Sequence, residues 1–315
     1  MYSTDMIPNA HSIQATFLDE LDDLYDRNPK AVEIFLMQKK DEYSLEGNAD
    51  LYIICSNELA SLFRSEGRFR NAIALYEELL TAPWKARLTK ENVLTLQMNI
   101  ASAYREARET DKAMALYEEI RDDLFRNGEG SSLLYADLLD NMGVLCAGTG
   151  NPSRGIDYLK ESLAILQQKG DKSEKIATAH LNLAAIYNAS KDTTASGAEL
   201  AEAEALFENF PNDPHWNSLC SLKASLAFQR GDYKSASIIY LDLLNRLRSM
   251  PGQGSEYYSV LKSLSVLFWT TKDYSQAKKY SLHAVALAKT LYGEDSNEAE
   301  NMAHFSDVIQ QEVSQ

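Results

Sequence analysis

Residues 98–120 read MNIASAYREARETDKAMALYEEI, and this stretch contains the pattern that decides the fold. The small residues Ala101 and Ala113 stand twelve positions apart, and Tyr104 and Tyr117 follow them after three and four residues. Small residues let two helix backbones approach closely, whereas aromatic side chains fill the wider spaces beside them. The stretch therefore predicts two antiparallel helices joined by a tight turn.

The same pattern recurs along the chain at a nearly constant interval. Its small anchor residues are Ala60, Ala101, Gly143, Ala184, Ala224 and Ser265. Successive anchors lie 41, 42, 41, 40 and 41 residues apart. Such regularity is typical of repeat proteins, in which each unit is one helix pair that packs on its neighbours.

Three parts of the chain depart from the regular repeat. Residues 10–45 predict a degenerate N-terminal helix pair, because small and aromatic residues fall where an earlier repeat would place them. Residues 296–312 predict a capping helix, whose polar outer face keeps the end of a stack soluble. In the fourth repeat the register is expected to break after the turn, and a two-residue insertion would place Ala198 where Ala72 stands in the first repeat.

The segments LASLFRSEGRFRNAIALYEELL (59–80) and ASLAFQRGDYKSASIIYLDLL (224–244) resemble the consensus of the tetratricopeptide repeat. The usual unit of that family has about 34 residues. The unit of about 41 residues here is similar to the long repeats of kinesin light chains and of bacterial peptide-sensing regulators. The resemblance implies an all-α fold, a right-handed superhelical solenoid of antiparallel helix pairs with a C-terminal capping helix. On this basis residues 1–315 are expected to form a single repeat domain, with six helix-pair repeats over 49–291.

Composition and charge argue against several other classes of protein. The formal net charge is −15, from 46 acidic and 31 basic residues, and an acidic surface repels phosphate backbones, so no nucleic-acid partner is expected. The chain has neither a long apolar run nor the basic start of a signal peptide, so no membrane association is expected. Its three cysteines form no paired motif and are expected to be buried in a reducing compartment. These features favour a cytoplasmic protein.

No catalytic motif stands out in the sequence. None of the five histidines belongs to a metalloprotease-type pair, and there is no nucleophile elbow and no nucleotide-binding loop. Paired glutamates such as Glu77–Glu78 and Glu118–Glu119 fall on second helices, where they are expected to be solvated. The second-helix tyrosines are expected to be core residues. The sequence therefore predicts a protein that is not an enzyme and that holds no cofactor or metal.

Asparagine gives the strongest functional signal, since Asn99, Asn141 and Asn182 each stand two residues before an anchor. Asparagine is a poor helix former, so packing gives little reason for this choice. In the resembled family this position lines the concave groove, where asparagine amides hydrogen-bond the backbone of a bound extended peptide. An amide has both donor and acceptor groups, so it can pair with any peptide group. The alternative is that these amides bond only to a neighbouring helix or to water.

Further residues are expected to reach the same face, because they lie about one helical turn from the anchors. These residues are Asn57, Arg64, Arg105, Asp140, Asn188, Gln229, Lys262 and Trp269. Arg64 and Arg105 occupy equivalent sites in adjacent repeats and are suited to an acidic group of a ligand. Pairing with local glutamates is an equally good interpretation.

The sequence favours an interaction scaffold that binds a peptide or an extended protein segment in its concave groove. The alternative is a peptide-responsive regulatory receptor that controls a partner enzyme or regulator through its N-terminal helices. Residues 1–45 are too short and too acidic for a DNA-binding domain with a linker, so a transcription factor is disfavoured. The ligand's identity and the oligomeric state stay open.

Overall fold

A computed structural model describes the chain over residues 11–28, 31–81, 83–170, 174–210, 213, 215–248 and 254–313. Within these ranges it contains fifteen α-helices and one short 3-10 helix, and no strand. The chain divides into two compact units, residues 1–123 and 124–315, and the boundary falls inside the sixth helix. In the described residues no helix combines the length and the apolarity needed to cross a bilayer.

The first unit is built from consecutive helices that pack on one another around an apolar core. Its helices are α1 (His11–Arg27), α2 (Val32–Leu45), α3 (Ala49–Ser65), α4 (Phe69–Leu79), α5 (Lys90–Glu106) and α6 (Thr110–Arg126), which continues past the unit boundary; the 3-10 helix Trp84–Arg87 lies between α4 and α5. The helices α1 and α2 occupy the region for which the sequence predicts a degenerate pair.

The second unit repeats the same arrangement, and in it each helix contacts the next. Its helices are α7 (Leu133–Gly148), α8 (Pro152–Gln168), α9 (Glu174–Ala189), α10 (Thr193–Phe207), α11 (His215–Gln229), α12 (Tyr233–Arg248), α13 (Gly254–Thr270), α14 (Tyr274–Tyr292) and α15 (Asn297–Val313). The first helices of neighbouring pairs also touch, since α9 contacts both α7 and α11. The helix α15 packs on α14, where the sequence predicts a capping helix. The single-domain organisation of the whole chain stays a prediction.

The turn between the two helices of a pair has the same backbone conformation in all six repeats. The residue seven positions after the anchor has a positive φ in every repeat, and it is Arg108, Lys191 or Lys272 in the three repeats that lack glycine there. In the next position Asp192 and Asp273 accept a backbone N–H three residues further on, which caps the second helix. Because non-glycine residues adopt the left-handed region only at a cost, helix packing and not residue type holds this geometry.

The fourth repeat is regular, so the predicted break in its register is wrong. Ser196 stands twelve residues after Ala184 and is fully buried, and its Oγ donates a hydrogen bond to the Ala184 carbonyl oxygen at 2.7 Å. Ala198 is exposed and does not take the place that Ala72 has in the first repeat. Serine is small enough for the position, and the carbonyl oxygen satisfies its hydroxyl.

The anchors and the residues twelve positions after them are buried in all six repeats. In the third repeat Gly143 of α7 faces Gly155 of α8. A Cβ atom added to Gly155 would lie 2.6 Å from the carbonyl oxygen of Gly143, and one added to Gly143 would lie 3.0 Å from that of Gly155. Glycine is needed at these two positions because a side chain would not fit between the helices, and not because the backbone adopts a positive φ.

We therefore expect Gly155→Ala to lower the free energy of unfolding by about 1–3 kcal/mol, because the added methyl group forces α7 and α8 apart. Denaturant unfolding followed by circular dichroism measures the change. The matched control is Gly148→Ala at the end of α7, where an added Cβ meets nothing within 4 Å and better helix propensity makes the change neutral or stabilising. Equal effects of the two substitutions would contradict the close-packing explanation.

Candidate functional site

One face of the first helices passes through the residues nine, six and two positions before the anchor and five positions after it, because these spacings return to the same side of an α-helix. We call the residues two positions before the anchors the polar row. Its members are Glu58 and Asn99 in the first unit, and Asn141, Asn182, Leu222 and Ser263 in the second.

In the second unit, side chains on this face and on the adjoining side of the helix join neighbouring first helices. Lys175 of α9 donates to Asp137 of α7 at 2.8 Å. Further along, the Nδ2 of Asn188 in α9 donates to Ser225 of α11 at 3.1 Å. The Oδ1 of the same asparagine accepts from the Nε2 of Gln229 at 2.9 Å. These bridges hold α7, α9 and α11 side by side, so the predicted site residues Asn188 and Gln229 are used by the fold.

Asn141 and Asn182 lie on the same face as the Asp137–Lys175 bridge, four residues after Asp137 and seven after Lys175. Both side chains are partly exposed. The Nδ2 of Asn141 donates to the Asp137 carbonyl oxygen of its own helix at 3.1 Å. The side chain of Asn182 forms no hydrogen bond to any residue that the structure describes. The fold therefore leaves the Asn182 amide available to an external partner.

In the first unit an ion pair joins neighbouring first helices in the equivalent place. The Nε of Arg64 in α3 lies 3.1 Å from Glu106 of α5, and a terminal nitrogen of Arg105 lies 3.4 Å from the same carboxylate. Arg64 and Glu106 occupy the positions that Asn188 and Gln229 occupy in the second unit. Burial tends to lower the pKa of Arg64, but Glu106 and nearby tyrosines raise it overall. Both arginines therefore face an internal carboxylate, as the second of the two interpretations expects.

Asn99 of the first unit resembles Asn182. It is partly exposed, and its side chain forms no hydrogen bond within the described part of the chain. It lies on α5, seven residues before Glu106, and therefore on the same face as the charged bridge. Each unit thus presents one polar-row amide that the fold does not use.

Two carboxyl groups, Glu58 in the polar row and Asp140 directly before Asn141, are partly buried and carry a raised pKa. Burial raises the pKa of Glu58 to about 7. Burial likewise raises the pKa of Asp140 to about 7, against the opposing effects of Ser162 and a nearby lysine. Glu58 was not predicted as a site residue because it breaks the repeated asparagine, although its distance from Ala60 places it in the polar row.

The remaining predicted residues, Lys262 and Trp269, are not joined to the bridges. Lys262 is exposed on α13. The Trp269 ring packs on Tyr274 at 5.2 Å and edge-on against Phe305 of α15 at 6.1 Å between ring centroids. Trp269 therefore has a packing contact with the last helix.

Serine–tyrosine pairs form a feature that sequence reasoning did not find. Three repeats have a tyrosine on the second helix, sixteen residues after the anchor. In these three repeats, and in no other, a serine directly follows the anchor. In two of these repeats the two hydroxyls are hydrogen-bonded, Ser61 to Tyr76 at 3.4 Å and Ser102 to Tyr117 at 2.8 Å. The tyrosine rings are core residues as expected, while the hydroxyls of Tyr76 and Tyr117 are hydrogen-bonded to the first helix. The matching of serine to tyrosine was a signal present in the sequence.

We expect the two buried carboxyls to make stability fall as the pH rises. Each binds its proton more tightly in the folded chain than in the unfolded chain, so stability is lost between the ordinary carboxyl pKa and about 7. Glu58→Gln and Asp140→Asn should each increase the free energy of unfolding by about 1–3 kcal/mol at pH 8 and much less at pH 5. Urea titrations at both pH values measure this.

The matched control is Glu161→Gln, which neutralises an exposed carboxylate on α8. It should have a small effect that is the same at both pH values. If Glu58→Gln and Asp140→Asn behave like this control, the two carboxyls ionise normally in the folded protein.

Comparison with known proteins identifies the fold. Residues 55–88 match the family model described as tetratricopeptide repeat. Among curated proteins, none matches the chain significantly. One similar solved structure is a Rap protein complexed with Competence and Sporulation Factor, at 14% identity, a TM-score of 0.57, and coverage of 94% of this chain and 87% of that chain.

Two other structures have comparable similarity. The apo form of the quorum sensor NprR from B. thuringiensis is 18% identical, with a TM-score of 0.56 over 87% of this chain and 72% of that chain. BtubC (BKLC) from P. vanneervenii is 18% identical, with a TM-score of 0.51 over 75% of this chain and 94% of that chain. The chain is thus an all-α protein of stacked helix pairs. It has the fold of the tetratricopeptide-repeat proteins, which confirms the resemblance read from the sequence.

Proposed function

We propose that this protein is an interaction scaffold that binds a peptide or an extended protein segment on the polar-row face of its first helices. The observation that carries the proposal is the amide of Asn182, which is partly exposed and unpaired on a face where its neighbours are held by bridges. Asn99 has the same character in the first unit. No turnover is needed for this role.

The chemistry of the amide suits an extended backbone. A peptide group offers one N–H and one carbonyl oxygen, and an asparagine side chain offers the complementary acceptor and donors. The pairing is independent of the ligand's side chains, so neighbouring residues must supply sequence preference. The bridges Asp137–Lys175 and Asn188–Gln229 fix the spacing of the first helices. The protein therefore loses little conformational entropy when a ligand binds.

The solved structures of similar fold support this proposal. One of them, the Rap protein, holds Competence and Sporulation Factor, and another is a quorum sensor. They support ligand binding as a use of this fold. They leave open which ligand this chain takes.

A second candidate function is a ligand-responsive receptor that acts on a partner through its N-terminal helices. Its support is a row of exposed apolar side chains on α2, where Ile34, Met37 and Leu45 are 60%, 50% and 90% exposed. Their spacing of three and eight residues places them on one side of the helix. Exposed apolar side chains of this kind are suited to contact with another protein.

We expect peptide pools to contain members that raise the melting temperature of the full chain, because a ligand of the folded state stabilises it by mass action. For a peptide found in this way, Asn182→Ala should weaken binding roughly 5- to 150-fold, the equivalent of about 1–3 kcal/mol for lost backbone hydrogen bonds. Isothermal titration calorimetry measures the affinity.

The control is Asn245→Ala, which removes an exposed amide from the second helix α12 and should leave the affinity unchanged. Neither substitution should lower the melting temperature much, since Asn182 makes no hydrogen bond within the described residues. Unchanged affinity in Asn182→Ala would exclude the polar row as the binding face.

The receptor alternative adds that Met37→Lys should abolish partner binding and spare peptide binding.

A further inference from the structure

One outer position of the second helices is acidic along most of the chain. Eighteen residues after the anchor, five consecutive second helices have an acidic residue, and these residues are Glu78, Glu119, Glu161, Glu202 and Asp242. One repeat earlier the equivalent residue is Met37 of α2, and one repeat later it is His283 of α14. Both side chains are exposed. The second helices α2 and α14 thus differ from the five that lie between them in the sequence.

The exposed face of α2 combines apolar side chains with carboxylates. Met37 and Leu45 are exposed, and Asp41 lies between them on the same side of the helix, since the three residues follow one another at intervals of four. Glu46, also exposed, directly follows Leu45. Among the described residues, neither Asp41 nor Glu46 forms an ion pair. The face therefore offers apolar contact and negative charge together.

Further acidic residues surround this face. Residues 17–26 of α1 include five acidic residues and no basic one. Burial and the surrounding negative charge raise the pKa of Tyr43 on α2 to about 12, and the charged groups include Glu20 of α1 and Glu46. Because a phenolate is disfavoured beside carboxylates, the raised pKa reports a negative potential near the end of α2.

The exposed face of α14 has the opposite charge. Its 19 residues include three lysines and no acidic residue. Lys279 and Lys289 are exposed and Lys278 is partly exposed, and none of the three forms an ion pair within the described part of the chain. Leu282 is 44% exposed and lies on the same side of the helix, three residues after Lys279 and seven before Lys289. An apolar side chain is thus exposed among lysines that have no carboxylate partner.

We propose that the exposed face of α2 in one copy of this protein docks on the exposed face of α14 in a second copy. The apolar side chains of α2 then cover Leu282, which removes apolar surface from water on both copies. The lysines of α14 receive the carboxylates of Asp41 and Glu46. Both faces thereby gain the partners that their own chain does not supply.

Charge decides which faces meet. Two α2 faces would bring carboxylates together and two α14 faces would bring lysines together, so contact between unlike faces is favoured. The formal net charge of −15 opposes association only weakly, because salt screens charges that lie more than about 8 Å apart. Since each copy has both faces, association is head-to-tail and continues beyond a dimer unless a ring closes. A contact of one helix with one helix is small, so the Kd is expected in the micromolar range.

Self-association of this kind is independent of peptide binding. The polar row lies on first helices, whereas α2 and α14 are second helices. Loss of self-association would therefore leave the peptide-binding proposal intact. For the receptor alternative, a second copy would occupy the apolar row of α2 that a regulated partner needs.

Sedimentation velocity of the full chain tests the proposal. At low salt we expect the weight-average mass to rise above the 35.3 kDa of one chain as the protein concentration increases from about 5 to about 500 µM. Sodium chloride at about 0.5 M should return the mass to that of one chain, because it screens the charges that join the two faces. This measurement uses the wild type alone.

Two variants then identify the faces. Met37→Lys blocks the face of α2, and Lys279→Glu combined with Lys289→Glu blocks the face of α14. Each protein alone should keep the mass of one chain over the whole concentration range. Their equimolar mixture should form a dimer that grows no further, because it contains one intact face of each kind.

The matched controls change the same charges at exposed sites on or directly after α8. They are Gln168→Lys, and Lys160→Glu combined with Lys169→Glu. Both controls should associate like the wild type. If Met37→Lys lowers the melting temperature, Leu45→Lys replaces it, since Leu45 is 90% exposed.

Three results would overturn the proposal. The first is a wild type that keeps the mass of one chain at every concentration. The second is association that persists when the lysines of α14 are reversed, which would indicate contact between two α2 faces or through another surface. The third is a mixture of the two folded variants that stays monomeric, because head-to-tail contact requires that they complement each other.

Discussion

The close contact between the two helices of each pair is the constraint on which the rest of the structure depends. At the anchor and twelve residues later, all six repeats have glycine, alanine or serine, and every one of these residues is buried. Any larger side chain would push the helices apart, since a Cβ atom added to Gly155 would already lie 2.6 Å from the Gly143 carbonyl oxygen. Because this contact fixes where the first helix lies on the second, it also fixes which face of the first helix stays open to a neighbour or a ligand.

The same constraint explains what the sequence predicted well and where it failed. The spacing of the small residues identified six helix pairs and the fold family, because steric exclusion limits the residue types at those sites. It failed at the fourth repeat, where Ser196 was not recognised as the small residue and Ala198 was preferred to it. The site selects for small size and accepts a serine hydroxyl that can reach a carbonyl oxygen, so neither a register break nor an insertion is needed there.

The candidate site was less predictable, because its properties depend on which partner a side chain finds. Nothing in the positions of Arg64 and Arg105 tells whether their carboxylate belongs to a ligand or to Glu106 of the same chain. Asn141 and Asn182 occupy equivalent positions, yet one amide is bonded to its own helix and the other forms no bond within the described chain. Periodicity assigns residues to a face, but the rotamers that decide hydrogen bonding follow from contacts distant in sequence.

The bridges and the polar row have different physical tasks on one helical face. Bridges such as Asp137–Lys175 and Asn188–Gln229 consume donors and acceptors in pairs, so they stabilise the spacing of the helices and offer little to a ligand. Polar-row members of the second unit then differ along the chain, from Asn141 and Asn182 to the apolar Leu222 and to Ser263. The hydrogen-bonding groups along this row are therefore unevenly distributed, since Leu222 has none and the Asn141 amide is already bonded to its own helix. If the proposed ligand lies along this row, its contact at Leu222 is apolar whereas its contact at Asn182 is a hydrogen bond, so the row favours ligands with an apolar side chain at the corresponding place.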